Sequence, residues 1–158
     1  MRGRPAPANA GELMPQLRTA FGAEGLPPEL AWLAEVESSL DPTARSPAGA
    51  KGLFQLKAGT AHDLGLSTFL PDDRTDPAKS AQAAARLLRR LREKFGSWPL
   101  ALAAYNAGEG RLSRALHGSA GQDFSGVAAR LPAETRMYVP EVFALVKTRT
   151  GVALPAGP

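Results

Sequence analysis

Between Asp76 and Gly96 the apolar side chains Ala84, Leu88, Leu91 and Phe95 recur at i, i+4, i+7 and i+11, the spacing that lines one face of an α-helix. No segment sustains the period-two alternation of a half-buried strand, and no tandem repeat is present. A chain built of such stripes must bury them helix against helix. The expected fold is therefore a compact all-α domain. Asp76 is the natural N-cap of this longest helix, Pro77 suits its first turn, and Gly96 closes it.

The remaining punctuation is of the same kind. Leu13, Leu17 and Phe21 share a face of a short helix over Glu12–Phe21, ended by Gly22 and Gly25. A second helix starts at Pro27-Pro28 and runs through Trp32, Leu33 and Val36 to about Ser39. "KAGTAHDLGL" predicts a short helix capped by Thr60. "WPLALAAYNAG" and "EGRLSRALHG" predict a helix pair hinged at Gly108 and Gly110. The last helix is expected from about Ala133 to Lys147, kinked at Pro140. Residues 1–10 read as loose, residues 1–25 as an N-terminal extension carrying the first short helix, and residues 151–158 as a disordered tail.

With 158 residues the chain suits one domain, large enough to bury roughly 68–70% of its unfolded surface. Its 44% hydrophobic content excludes a disordered chain. There is no cysteine, so neither a disulfide nor thiolate chemistry is available. A formal charge of +4 and a pI of about 9.9 suit an anionic partner. No stretch approaches the roughly 20 apolar residues of a membrane span, and "MRGRPAPANAGEL" lacks the apolar core of a secretory signal.

Two constellations carry chemistry. In "EVESSLDPTARSPAGAKGLFQL" a helix bearing Glu35 and Glu37 breaks at Asp41-Pro42 and enters a loop rich in Gly, Ala and Ser. The two carboxylates point about 200° apart on a helix and cannot share a site. Glu37 lies nearer the face set by Leu33 and Val36, where apolar surroundings raise a carboxyl pKa towards that of a general acid. Spacing alone also admits a solvated helix-end glutamate. Ser46, Gly49, Gly52 and Gln55 supply a hydroxyl, close backbone approach and an amide, a polar set that packing alone does not require. In "ALAAYNAGEGRL", Tyr105 and Asn106 close a helix before a Gly-x-Gly break. They read either as a sugar-gripping pair or as a buried tyrosine beside a C-capping asparagine. His62 and His117 lack metal-ligand spacing. The basic run "RLLRRLREK" reads as the solvated back of an amphipathic helix, without interleaved aromatics for nucleic acid.

Together, "ESSLDPTARSPAGAKGLFQL", "AYNAGEGRL" and "ETRMYVPEV", in that order, resemble the three motifs of lytic transglycosylases of the soluble-transglycosylase, goose-lysozyme-like type. "LPPELAWLAEVESS" and "DDRTDPAKSAQAAARLL" are most similar to the membrane-bound lytic transglycosylase D branch, whose LysM repeats have no counterpart here. The resemblance covers about residues 26–148 and implies a catalytic domain over 26–150, with a lysozyme-like helical fold and a substrate cleft. It implies that Glu37 is the single catalytic acid/base, that Ser46, Gln55, Tyr105 and Asn106 line the cleft, and that Tyr138 supports it from the last helix. Asp41 departs from the family's usual Asn, and Lys57-Ala58 from a frequent Met-Pro whose Met lines the cleft.

The reaction implied by the resemblance is cleavage of the β-1,4 bond between N-acetylmuramic acid and N-acetylglucosamine of peptidoglycan, with 1,6-anhydromuramic ends. No metal or organic cofactor is implied, nor a nucleic-acid partner. The expected setting is the bacterial periplasm or cell envelope, and the expected state a monomer. A hydrolytic muramidase on the same fold is the alternative enzyme. It needs a second carboxylate to activate water, with Asp41 and Asp63 as candidates. A non-catalytic peptidoglycan-binding domain is the other alternative, and its signature is loss of the acid that Glu37 provides.

Overall fold

The computed structural model describes residues 3–158; the expectation of a loose start at Met1 and Arg2 lies outside the described residues. Helix α1 (Ala10–Ala23) buries Leu13, Met14, Leu17 and Phe21, the expected stripe in a helix slightly longer at both ends. A 3-10 turn over Pro28–Trp32 leads into α2 (Leu33–Ser38), so the second expected helix forms with a tighter first half. The short helix α3 (Ala58–Asp63) is preceded by Lys57 at the N-cap. Thr60 lies inside it and caps nothing, which corrects the sequence expectation. Helix α4 (Pro77–Phe95) starts and ends as its caps demand: Asp76 accepts the Lys79 N–H at 2.9 Å, and Gly96 takes φ +84°. Ala84, Leu88 and Leu91 are buried along it, while Phe95 packs half-buried at the core's edge.

Helix α5 (Trp98–Ala107) buries every residue from Trp98 to Ala104. A helix apolar on all sides belongs in a protein interior, and α5 packs on α4 and, further along the chain, on α6 (Glu109–His117) and α8 (Ala133–Thr150). Its alanines at 101, 103 and 104 leave the room for those neighbours. The break between α5 and α6 sits at Gly108 alone, at φ +100°; Gly110 is inside α6, not at the hinge. The turn α7 (Phe124–Val127) follows. Helix α8 continues past Pro140 without interruption to Thr150.

Both ends of the chain join this core. Helix α1 packs on α4 and on the turn before α2, so the region expected as an extension contributes Leu17 and Phe21 to the fully buried interior. The segment after α8 has no helix or strand, yet Leu154 is only 5% exposed and belongs to the core, an anchor for which a disordered tail makes no provision. Among the described residues there is no strand, only isolated bridges, two of which pin the loop from Arg45 to Leu56.

Candidate active site

The end of α2 is fixed by its chemistry and by its neighbours. Ser39 takes the left-handed conformation at φ +54° and Leu40 follows at φ +60°, so the helix stops at Ser38. Two such non-glycine residues in succession are costly, and such backbone persists where the surrounding structure over-determines it. Here Leu40 is completely buried, and the Ser38 hydroxyl lies 2.9 Å from the carbonyl oxygens of both Ala34 and Leu53, joining the helix end to the returning loop.

That loop is clamped from both sides. Leu53, Phe54 and Leu56 plunge into the core, with Phe54 stacked on Phe21 of α1 at 5.5 Å between ring centroids. Gln55 is left facing outward at φ +50°, and its amide nitrogen donates to the Ala44 and Gly52 carbonyls at 3.1 and 2.9 Å. Ser46 accepts the Ala50 N–H at 3.0 Å. Arg74 holds the loop's underside: one guanidinium nitrogen donates to the Gly49 and Leu56 carbonyls, both at 3.1 Å, while its other nitrogens grip Asp72. These bonds, with Lys51 at 3.2 Å, hold the Asp72 carboxyl down at about 2, the Arg74 hydrogen bond being the largest cause. Gly52 is obligatory: it takes φ +87°, and a Cβ there would lie 1.9 Å from the Arg74 carbonyl oxygen.

Glu37 occupies the floor between this loop, the end of α5 and α8. It is surrounded by protein on most sides but reached from an open cleft of about 930 Å³. Burial pushes its pKa up from 4.5 to about 7; the Tyr138 hydroxyl, donating at 2.6 Å, holds it down in part, and the charges of Glu134 and Glu141 push it up further. The Tyr105 hydroxyl donates to the Phe54 carbonyl at 2.6 Å. Burial, then the nearby Glu37 charge, raises the pKa of both tyrosines well above 10.0, so both remain donors. Asn106 bridges to α8, its amide donating to Glu134 at 3.3 Å and its carbonyl accepting from Thr135 at 2.8 Å.

All six residues singled out in the sequence, Glu37, Ser46, Gln55, Tyr105, Asn106 and Tyr138, line this one cleft. The family profile described as the Transglycosylase SLT domain matches residues 19–126. The chain belongs to this family. The chain is 40% identical over 139 residues to the membrane-bound lytic murein transglycosylase D of Escherichia coli, covering 82% of its own length. It is 46% identical over 94 residues, 54% of this chain, to a membrane-bound lytic murein transglycosylase F of Alcanivorax borkumensis. Among solved structures it superposes on the 70 kDa soluble lytic transglycosylase of Escherichia coli with a TM-score of 0.72 at 29% identity over 85% of this chain. The chain spans 31% of the length of the first of these relatives, 19% of the second and 23% of the solved chain.

Sequence reasoning missed several residues of this cleft. Glu134 and Glu141 line the cleft from α8, about one turn before and one turn after Tyr138; both lie within the stretch "ETRMYVPEV", from which the resemblance implies only Tyr138 as a site residue. Of the two candidate second carboxylates, Asp63 lines the cleft, whereas Asp41 is exposed outside it and bound to the N–H and hydroxyl of Thr43, both at 2.9 Å. Lys57 also lines the cleft, putting a cation at the position where the family frequently has Met. Glu35 does point away from Glu37: it forms a bidentate pair with Arg149 of α8, both bonds 2.9 Å, with both side chains about nine-tenths buried.

Proposed function

We propose that this SLT domain cleaves the β-1,4 bond between N-acetylmuramic acid and N-acetylglucosamine in peptidoglycan, leaving a 1,6-anhydromuramic end. Glu37 is the acid and then the base. Protonated, it gives its proton to the bridging oxygen as the bond to C1 of the muramic sugar breaks. The carboxylate then takes the proton of that sugar's C6 hydroxyl as O6 bonds to C1. No water is consumed, and Glu37 ends protonated as it began. The substrate's acetamido group stabilises the positive charge at C1 in between. Ser46, Gln55, Tyr105 and Asn106 frame the sugars, and Tyr138 orients the Glu37 carboxyl.

The observation that carries this reading is the placement of Glu37. A half-buried carboxyl with a pKa of about 7, open to a cleft and aimed by a tyrosine, is poised between its two protonation states near neutral pH, which one group needs if it must act first as acid and then as base. The relatives' names, lytic murein transglycosylases, supply the reaction class. An internal C6 hydroxyl also begins with the advantage of intramolecular attack.

One observation favours the hydrolytic reading: second carboxylates are present, because Asp63, Glu134 and Glu141 line the cleft as well. A water held between one of them and C1 would give a reducing muramic end. Mass spectrometry of digested peptidoglycan separates the two, since the anhydro product is one water lighter and has no reducing end. Mainly reducing ends would replace the lytic reading with the muramidase one. The periplasm or cell envelope, where peptidoglycan lies, is the setting this function requires.

A further inference from the structure

Behind α6, away from the Glu37 cleft, Arg111, Arg114 and Arg130 line a second groove of about 510 Å³, floored by Ala115 and Leu131. None of the three guanidiniums has a salt bridge or a side-chain hydrogen bond among the described residues, whereas Arg18, Arg74, Arg89 and Arg149 are all paired with carboxylates. All three are exposed, and two of them lie against glycines. Arg130 lies over Gly118, where a Cβ would come within 2.6 Å of its Nη1, and Arg114 lies over Gly110, where a Cβ would come within 3.3 Å. Gly110 stands at the start of α6 and Gly118 at its C-cap, so the two glycines make room for one forked donor at each end of the helix, about 12 Å apart. Pro132 lines the groove beside Leu131, and Arg136 pins Leu131 by donating to its carbonyl at 3.3 Å.

We infer that this groove binds the free carboxylates of the peptides attached to the glycan strand being cleaved, an inference that rests on peptidoglycan as the occupant of the Glu37 cleft. Charge separates the two grooves. The cleft is lined by five carboxyl groups, Glu37, Asp63, Glu109, Glu134 and Glu141, against two bases, Lys57 and Arg90. It suits an uncharged sugar chain and repels carboxylates. The second groove has three arginines and no acid. Guanidinium forks match carboxylates in shape as well as charge.

The two grooves share their walls. Glu109 of α6 and Glu134 of α8 face the cleft; Arg111 and Arg114 of the same α6, and Pro132 just before α8, face the second groove. A helix with its side chains is about 10–12 Å across, and an extended peptide of four residues spans about 13–14 Å. A peptide hanging from a sugar in the cleft therefore has the length to cross α6 and place its carboxylates on the arginines.

The test compares intact peptidoglycan with strands from which an amidase has removed the peptides. For the Arg111→Ala/Arg114→Ala/Arg130→Ala protein the preference for peptide-bearing over bare strands, as a ratio of kcat/KM, is expected to fall about tenfold relative to wild type, mostly through KM. A ratio equal to that of the wild type overturns the inference. Co-sedimentation with peptidoglycan in a Glu37→Gln background reads binding without cleavage. There the three alanines should weaken retention on peptide-bearing material about tenfold, and retention as strong as that of Glu37→Gln alone overturns the inference even if no cleavage is found. Capping the peptide carboxylates as amides should weaken retention of the Glu37→Gln protein to the same degree. Undiminished retention on amidated material would exclude carboxylate as the ligand. A wild-type protein that cleaves neither substrate refutes the proposed function, and the sedimentation arm still decides the groove.

Discussion

Replacing Glu37 with Gln should make the protein more stable and inactive at once, and the stabilisation should depend on pH in a way set by one carboxyl. In the unfolded chain this group titrates near 4.5; in the fold, burial moves it to about 7. Below about pH 4.5 both states hold the proton and the carboxyl contributes no difference. As the pH rises towards 7 the unfolded chain gives up a proton that the folded state keeps, so folded stability falls. Above 7 the folded state must carry a charge partly shielded from water, and the deficit levels off. Each unit is about 1.4 kcal/mol, so the rise from 4.5 to about 7 makes the full deficit about 3 kcal/mol. Glutamine keeps the shape, still accepts from Tyr138, and carries no charge at any pH. The variant should match wild type near pH 4 and exceed it by about 3 kcal/mol near pH 9, or roughly 6–12 °C in melting temperature for a chain of this size. Urea denaturation of both proteins across that range, with cleavage assayed in parallel, is the measurement. Cleavage should fall by at least the roughly 10²–10⁴-fold that general acid–base catalysis supplies. A stability gap that stays flat with pH, or favours wild type at high pH, would refute a Glu37 burdened by burial, and with it the account of how it acts as an acid near neutrality.

Tyr138→Phe removes the hydrogen bond that holds the Glu37 pKa down, so the alkaline limb of the pH–rate profile should move to higher pH; a shift to lower pH would contradict the assigned role. Tyr105→Phe leaves the Phe54 carbonyl without its donor and should cost about 1–3 kcal/mol in denaturant titration, whereas an unchanged melt would mean the hydroxyl serves substrate alone. Glu35→Gln should retain most cleavage but lose about 1.5–3 kcal/mol of stability, because the charged pair with Arg149 ties α2 to α8; an inactive, fully stable variant would show that Glu35 belongs to the chemistry. Gly52→Ala drives a methyl into the Arg74 carbonyl at positive φ and should destabilise by about 3 kcal/mol or more, which a thermal melt tests directly.

Much of the fold is written in local pattern. The stripe Ala84, Leu88, Leu91 and the signals Asp76, Pro77 and Gly96 define α4 almost to the residue, because a helix this long satisfies its backbone internally and needs only one face buried and its ends capped. The all-apolar run from Trp98 announces the central helix for the same reason. The candidate site residues were singled out through resemblance rather than physics: spacing alone separates Glu35 from Glu37 but does not distinguish a solvated carboxyl from one shielded by the fold. Burial is a tertiary quantity. Glu37 becomes an acid with a pKa of about 7 only when α8 and the loop before α3 close over it, bringing Tyr138 from 101 residues away. The same closure decides what short-range reading cannot: Thr60 caps nothing because α3 already begins at Ala58, after Lys57, and Leu154 is drawn into the core although its neighbours are Ala and Pro. Arg74 becomes the clamp of the cleft loop because the fold sets it beneath Gly49 and Leu56, a meeting that no sequence period encodes. Sequence determined which segments are helices and which residue types were on hand. The tertiary structure decided which carboxyl loses its water, since desolvation depends on what surrounds a group in space and not on what adjoins it in the chain.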